Sequence, residues 1–127
     1  MDWGALLTRR AVKKPPAEGG WNIFSTTLTG LSCADAIAFT GHLTNGEKAW
    51  FGWPTNALQE KLRDQWAMAP DLEGRKKIAR EMQKNAWDFV PHLYLGQFFR
   101  SSAWRKNVKG VIGMPELVGF WNMEKTA

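Results

Sequence analysis

The chain has 127 residues, 44% of them apolar and 23% charged, with a net charge of +5, a composition that argues against intrinsic disorder and allows one modest core rather than two. No run of about 18 apolar residues is present, so no transmembrane helix is expected, and at the start the acid Asp2 precedes a very short apolar stretch that Arg9-Arg10 follow, the reverse of a secretory signal peptide. Cys33 is the lone cysteine, which excludes an internal disulfide framework.

Residues 1–10 are expected to form a short amphipathic helix, because Trp3, Leu6, Leu7 and Arg10 recur at helical spacing. Pro15-Pro16 and Gly19-Gly20 then break it. Trp21 to Thr29 is rich in aromatic, β-branched and hydroxyl residues and reads as a strand with one face buried. Thr29 to Asn45 reads as a loop with one helical turn at Ala34 to Phe39. Thr55 or Asn56 can cap a helix running to about Ala69, with Leu58, Leu62, Trp66 and Met68 near one stripe and Pro70 as the stop. Asp71 caps a second helix to Phe89, in which Ile78, Met82, Ala86 and Phe89 face the core and Glu60, Lys61, Lys76, Lys77 and Lys84 of the pair face solvent. Pro91 ends that helix, and His92 to Phe99 reads as a strand covered on both faces. Ser101 to Trp104 extends or turns it, Asn107 to Gly113 reads as a loop or short hairpin, and Leu117 to Trp121 is a last apolar segment. Fraying is expected only at the first residues and at Lys125-Thr126-Ala127.

Several short motifs stand in a telling order: Glu18-Gly19-Gly20-Trp21-Asn22-Ile23, the Pro-Asp junction in Ala69-Pro70-Asp71-Leu72, Val90-Pro91-His92-Leu93-Tyr94-Leu95, and Arg105-Lys106-Asn107-Val108-Lys109-Gly110-Val111. Together they resemble the C-terminal part of the extracytoplasmic solute-binding proteins of ABC importers, in the peptide/nickel-type family. The resemblance covers nearly the whole chain. It implies an α/β unit, residues 1–127, that is a C-terminal fragment of a type II periplasmic-binding-protein-like fold: a short mixed sheet covered by helices, with a crossing segment back to the other lobe. It also implies a longer parent, periplasmic or otherwise extracytoplasmic, that captures a small solute or short peptide and delivers it to an ABC permease in the membrane.

In that family the segment corresponding to residues 25–35 reaches the ligand cleft. The resemblance thus implies ligand contacts from the hydroxyls of Thr26, Thr29 and Ser32, an apolar wall from Leu28, and Asp35. Peptide-binding members carry, in a Gly-Trp-x-x-Asp-like run, an Asp that pairs with the peptide's amino terminus. Here Thr27-Leu28-Thr29-Gly30-Leu31-Ser32 occupies that place and Asp35 falls a few residues late. A buried ammonium without a counter-charge is costly, so the loop suits an uncharged or weakly charged polar solute better than a zwitterionic peptide.

Other chemistries find little support. His42 and His92 are 50 residues apart and no His, Cys or carboxylate set has metal-ligand spacing, so neither metal nor cofactor is expected. Gly19-Gly20 leads into a strand rather than a helix, which argues against a phosphate loop. No nucleophile elbow surrounds Ser25, Ser32 or Ser101, and Cys33 has no evident base, so no catalytic residue is assigned. A rival reading is a small basic nucleic-acid-binding domain, in which Phe98, Phe99 and Trp104 interleave with Arg100, Arg105 and Lys106 as stacking platforms do. Another is an interaction module anchored by Trp50, Phe51 and Trp53, although a core contact at a loop-to-helix junction suits that trio better. The basic groups lie in three short places among interspersed acids, which favours solvated faces over a nucleic-acid surface. Unpaired strand edges in a fragment predict self-association.

Overall fold

The computed structural model describes residues 1–114, 116 and 118–126. Helix α1 spans Trp3–Arg10 and starts where expected, because the Asp2 carboxylate accepts a hydrogen bond of 3.0 Å from the Ala5 N–H. A 3₁₀ turn at Pro16–Glu18 follows and ends on Gly19 at φ +92°. Gly20 is buried, and a Cβ there would sit 1.6 Å from the Lys14 carbonyl oxygen, so the chain can cross at this point only with glycine.

Residues 21–29, expected as a strand, have no regular secondary structure and pair with no strand among the described residues. Side chains hold the beginning of this segment instead. The Arg9 guanidinium donates to the Gly20 carbonyl from Nε at 3.3 Å and Nη2 at 3.0 Å, and the Trp21 indole donates to the Arg10 carbonyl at 3.0 Å. Trp21 meets Phe24 edge to face, with centroids 4.8 Å apart, and lies 6.3 Å from Trp53, while Phe24 lies 5.8 Å from Trp50. The Arg10 guanidinium covers Phe51 at 4.2 Å and Trp50 at 5.5 Å, and the Lys13 ammonium covers Trp53 at 4.7 Å. Trp50, Phe51 and Trp53 are therefore half-buried in an internal aromatic–cation cluster, the core-contact role preferred for them above.

The expected helical turn at residues 34–39 is present as a single turn, closed by the Phe39 N–H donating to the Asp35 carbonyl at 3.2 Å, and 3₁₀ turns at Leu31–Cys33, Thr40–His42 and Gly46–Lys48 stand around it. Its end is tied down by Thr44, which is almost fully buried. The Thr44 N–H donates to Glu60 Oε1 at 2.6 Å, and its hydroxyl lies 3.0 Å from both that oxygen and the Asn56 carbonyl. Glu60, expected in solvent, is thus half-buried as the acceptor for this loop and for Arg63 at 3.0 Å. A lone backbone N–H needs a partner when it leaves water, and Glu60 supplies it.

Helix α2 (Ala57–Met68) is capped by Asn56, and α3 (Leu72–Phe89) by Asp71. Both caps were legible as Asn or Asp before an apolar-periodic run. Leu62, Ala69 and Met82 are buried between the two helices' layer and the loops, but Leu58 and Met68 are exposed and Gln59 is buried in their stead. The exception has a chemical reason: Gln59 Oε1 accepts from Asn85 Nδ2 at 2.9 Å, a polar bridge between the helices. Val90 ends α3 at φ 50°, a left-handed conformation that a β-branched residue adopts only under strain.

His92 to Phe99, expected as a strand with both faces covered, and the residues after it to Trp104 have no ladder partner among the described residues and expose Leu93, Tyr94, Leu95, Phe98, Phe99 and Trp104. The sheets lie further on and are antiparallel rather than mixed. β1 (Val108–Lys109) pairs with β4 (Glu124–Lys125), and β2 (Ile112–Gly113) pairs with β3 (Val118–Gly119), so residues 107–113 form no hairpin of their own but one side of two nested two-residue ribbons. Gly110 passes so close to Asn122 that a Cβ would lie 2.0 Å from its carbonyl oxygen. The apolar segment expected at 117–121 falls partly outside the described residues, as does Ala127, while Lys125 and Thr126 are bonded back to residues 107–109 rather than frayed. The described residues form a small mixed helix and strand unit, with three helices and two small sheets, but the sheets are two-residue antiparallel ribbons rather than one mixed sheet.

One aromatic cluster joins the loop to the segment after α3. Phe39, 5% exposed, meets His42 and His92 edge to face at 4.7 and 5.1 Å, with the two imidazoles 5.7 Å apart. Both Nδ1 atoms are buried without a protein partner. Burial lowers both histidine pKa values below the ordinary 6.5; for His42 the neighbouring His92 lowers it further, against an opposing pull from the Ala36 carbonyl.

Two predictions follow from this packing. Met82→Ala, which empties the most buried apolar site, is expected to destabilise the chain by about 2–4 kcal/mol in urea unfolding, against less than about 0.5 kcal/mol for the exposed Met68→Ala. The histidine pair gives a pH dependence of definite sign. The unfolded chain takes up protons near pH 6.5 that the folded chain refuses, so stability is highest above that pH and falls as pH drops below it. Thermal unfolding should show a lower midpoint at about pH 5.5 than at about pH 7.5, and the paired change His42→Gln with His92→Gln should shrink that difference.

Candidate functional site

The residues singled out from the sequence do not all converge. Thr29 and Ser32 hydroxyls lie 2.6 Å apart, and the Ser32 N–H donates to Thr29 Oγ1 at 3.3 Å, so the pair closes its own turn. Asp35 Oδ1 accepts from the Ile37 N–H at 2.7 Å and the Ala38 N–H at 3.1 Å, a local turn cap. Leu28 is 42% exposed. Thr26 is the member of the set that lines a concavity.

That concavity is a recess of about 490 Å³ bounded by Trp3, Ser25, Thr26, Thr27 and Arg100. Its walls come from three distant parts of the chain. α1 delivers Trp3, and it lies beside residues 25–27 because Arg9 and the Arg10 carbonyl hold Gly20 and Trp21 one stride upstream. The exposed strap 93–104 delivers Arg100. Among the described residues Arg100 makes no ion pair; the recorded pairs are Lys13–Glu47, Arg63–Glu60 and Lys76–Glu73. Sequence reasoning had placed Arg100 only among interleaved cations and aromatics and had no signal for Trp3, Ser25 or Thr27 as neighbours.

The recess can offer hydroxyl donors and acceptors, one guanidinium and one indole face. No carboxylate, imidazole or thiol lines it to act as a base toward its hydroxyls. Cys33 lies elsewhere and is exposed; desolvation, with Glu116 beside it, pushes its thiol up, away from thiolate reactivity. Among the described residues no group of three His, Cys, Asp or Glu side chains could hold a metal ion, and no helix is long and apolar enough to cross a membrane.

No protein-family model matches the chain. It is similar to a probable peptide ABC transporter periplasmic-binding protein of Sinorhizobium fredii, with 43% identity over 124 residues, covering 98% of the chain and 23% of that relative. The chain thus spans about a quarter of the length of the curated relative it matches. The similarity takes in 98% of the chain, and so the span that holds the ordered motifs. Over nearly its whole length the chain is thus similar to a segment of a peptide-type periplasmic-binding protein of an ABC transporter.

Proposed function

We propose that the chain forms part of the solute-capture surface of the substrate-binding subunit of an ABC importer, acting in the periplasm or another extracytoplasmic space on a small polar or peptide-like solute. The kinship with a periplasmic-binding protein across nearly the whole chain carries this reading. Such a subunit works by binding and release, closing over its solute and presenting it to a membrane permease, with no bond made or broken. A recess with three hydroxyls and an aromatic face suits that work, since polar groups orient a solute and an apolar wall supplies contact area. Thr26, Leu28, Thr29, Ser32 and Asp35 remain the loop proposed to face the solute, with Asp35 engaged in its own turn.

The test is a thermal-shift screen of a complete receptor containing this segment against peptides, sugars, opines and metal chelates. A solute that binds only the native state raises the unfolding midpoint, and selective stabilisation by an uncharged or weakly charged polar solute is expected. Stabilisation by dipeptides or tripeptides that is lost in Asp35→Ala would overturn the assignment of solute class. Tight, salt-sensitive binding of single-stranded nucleic acid would instead favour the basic-aromatic reading of residues 98–106.

The surface supports a second expectation. The chain exposes 10048 Å², whereas a compact monomer of its mass, 14.4 kDa, would expose about 6,800 Å². The excess is of the size that obligate interfaces bury, on the order of 2,000–5,000 Å². Exposed apolar side chains on residues 93–104 make up part of it. Taken alone, the chain is expected to self-associate, and sedimentation velocity at about tens of micromolar should show species larger than a monomer. A single well-dispersed monomer would contradict the proposal.

A further inference from the structure

We propose that the recess bounded by Trp3, Ser25, Thr26, Thr27 and Arg100 is a carboxylate-binding subsite, with Arg100 as the anchoring cation; the inference rests on the solute-binding reading above. Arg100 is the charged side chain of the recess, and among the described residues it has neither ion pair nor hydrogen bond. A guanidinium presents its donors in a planar fork whose spacing matches the two oxygens of a carboxylate, and it keeps its charge at any physiological pH. Three consecutive hydroxyls flank it, and none of them is engaged in a side-chain hydrogen bond among the described residues. Each can donate to an anionic oxygen.

The negative charge nearest in sequence is turned away. Asp2 adjoins Trp3, but its carboxylate accepts from the Ala5 N–H at the start of α1 and does not line the recess. The lining therefore carries one positive charge and no acid that could balance an ammonium. A monoanion matches that lining, while a phosphate dianion would keep an uncompensated charge beside a single guanidinium. Trp3, 55% exposed, supplies an indole face for the apolar body of the solute. The hydroxyls by themselves suit an uncharged solute; the strap that brings Arg100 to them adds a preference for a solute with a carboxylate and no free ammonium beside it.

Such a carboxylate could end a short peptide or belong to a sugar acid. Both sources can be tested on the ¹⁵N-labelled chain by NMR titration with trialanine, trialanine amide and gluconate. The Trp3 indole resonance, assigned by its loss in Trp3→Phe, and the amides of residues 25–27 report the recess. Shifts with trialanine but not its amide assign a peptide carboxylate, and shifts with gluconate alone assign a sugar acid; either outcome supports the subsite. Arg100→Gln should weaken that binding about tenfold or more, since charge-assisted hydrogen bonds are lost, whereas Arg105→Gln, outside the recess, should leave it unchanged. Equal shifts with trialanine and its amide, insensitive to Arg100→Gln, would overturn the carboxylate assignment and leave the solute-binding reading standing. No shift with any of the three probes would overturn the subsite, while the thermal-shift screen of the complete receptor decides the broader reading separately.

Discussion

The lodging of the Arg10 guanidinium against Phe51 and Trp50 is the contact on which the N-terminal half depends. Few residues of this chain are deeply buried; Phe39, Leu62, Ala69 and Met82 are its buried apolar side chains among the described residues. Residues 1–24 contribute none of them. Their attachment to the rest comes from a cation over aromatic faces, worth about 0.5–2 kcal/mol per contact depending on desolvation, together with edge-to-face packing of Trp21 and Phe24. The backbone bonds from Arg9 to Gly20 and from Trp21 to the Arg10 carbonyl then set the angle of entry. Trp3 stands over residues 25–27 as a result.

A second anchor holds the loop between the aromatic cluster and α2. Thr44, Asn56 and Glu60 exchange hydrogen bonds in a nearly dry setting, and Arg63 extends them to the Ile37 carbonyl at 3.3 Å. A buried polar group left without a partner is costly, which makes such a network specific about geometry. It places the loop on the helix pair, and the Phe39–His42–His92 cluster continues that placement to the segment after α3. The recess thus stands between an element fixed by aromatics, α1 with residues 21–24, and a strap fixed only at its two ends.

That arrangement bears on function. A binding surface assembled from separately held pieces can close when a solute bridges them, because the solute's contacts lower the free energy of the closed arrangement alone. The segments 22–29 and 93–104 leave backbone N–H and C=O groups without ladder partners and apolar side chains in water. Both conditions favour further association, whether with other parts of a receptor or with another copy.

The sequence by itself determined the local elements whose causes lie within a few residues. Asp2, Asn56 and Asp71 specified helix starts, Pro70 and Pro91 marked helix ends, and the four-residue steps from Leu58 to Leu62 and from Ile78 to Met82 placed Leu62 and Met82 on the inward face of the helix pair. The ordered motifs also carried the resemblance to periplasmic-binding proteins that the 43% identity to one of them supports. Strand identity was not determined this way: residues 21–29 and 92–99 have strand composition, but a strand exists only when another backbone satisfies its hydrogen bonds, and none of the described residues does so. The burial of Gln59 and Glu60 likewise depended on partners from elsewhere, Asn85 and Thr44, that no periodicity could reveal. The meeting of Trp3, Ser25–Thr27 and Arg100 was decided by tertiary structure alone, because long-range packing, not spacing along the chain, brings three such distant segments around one space.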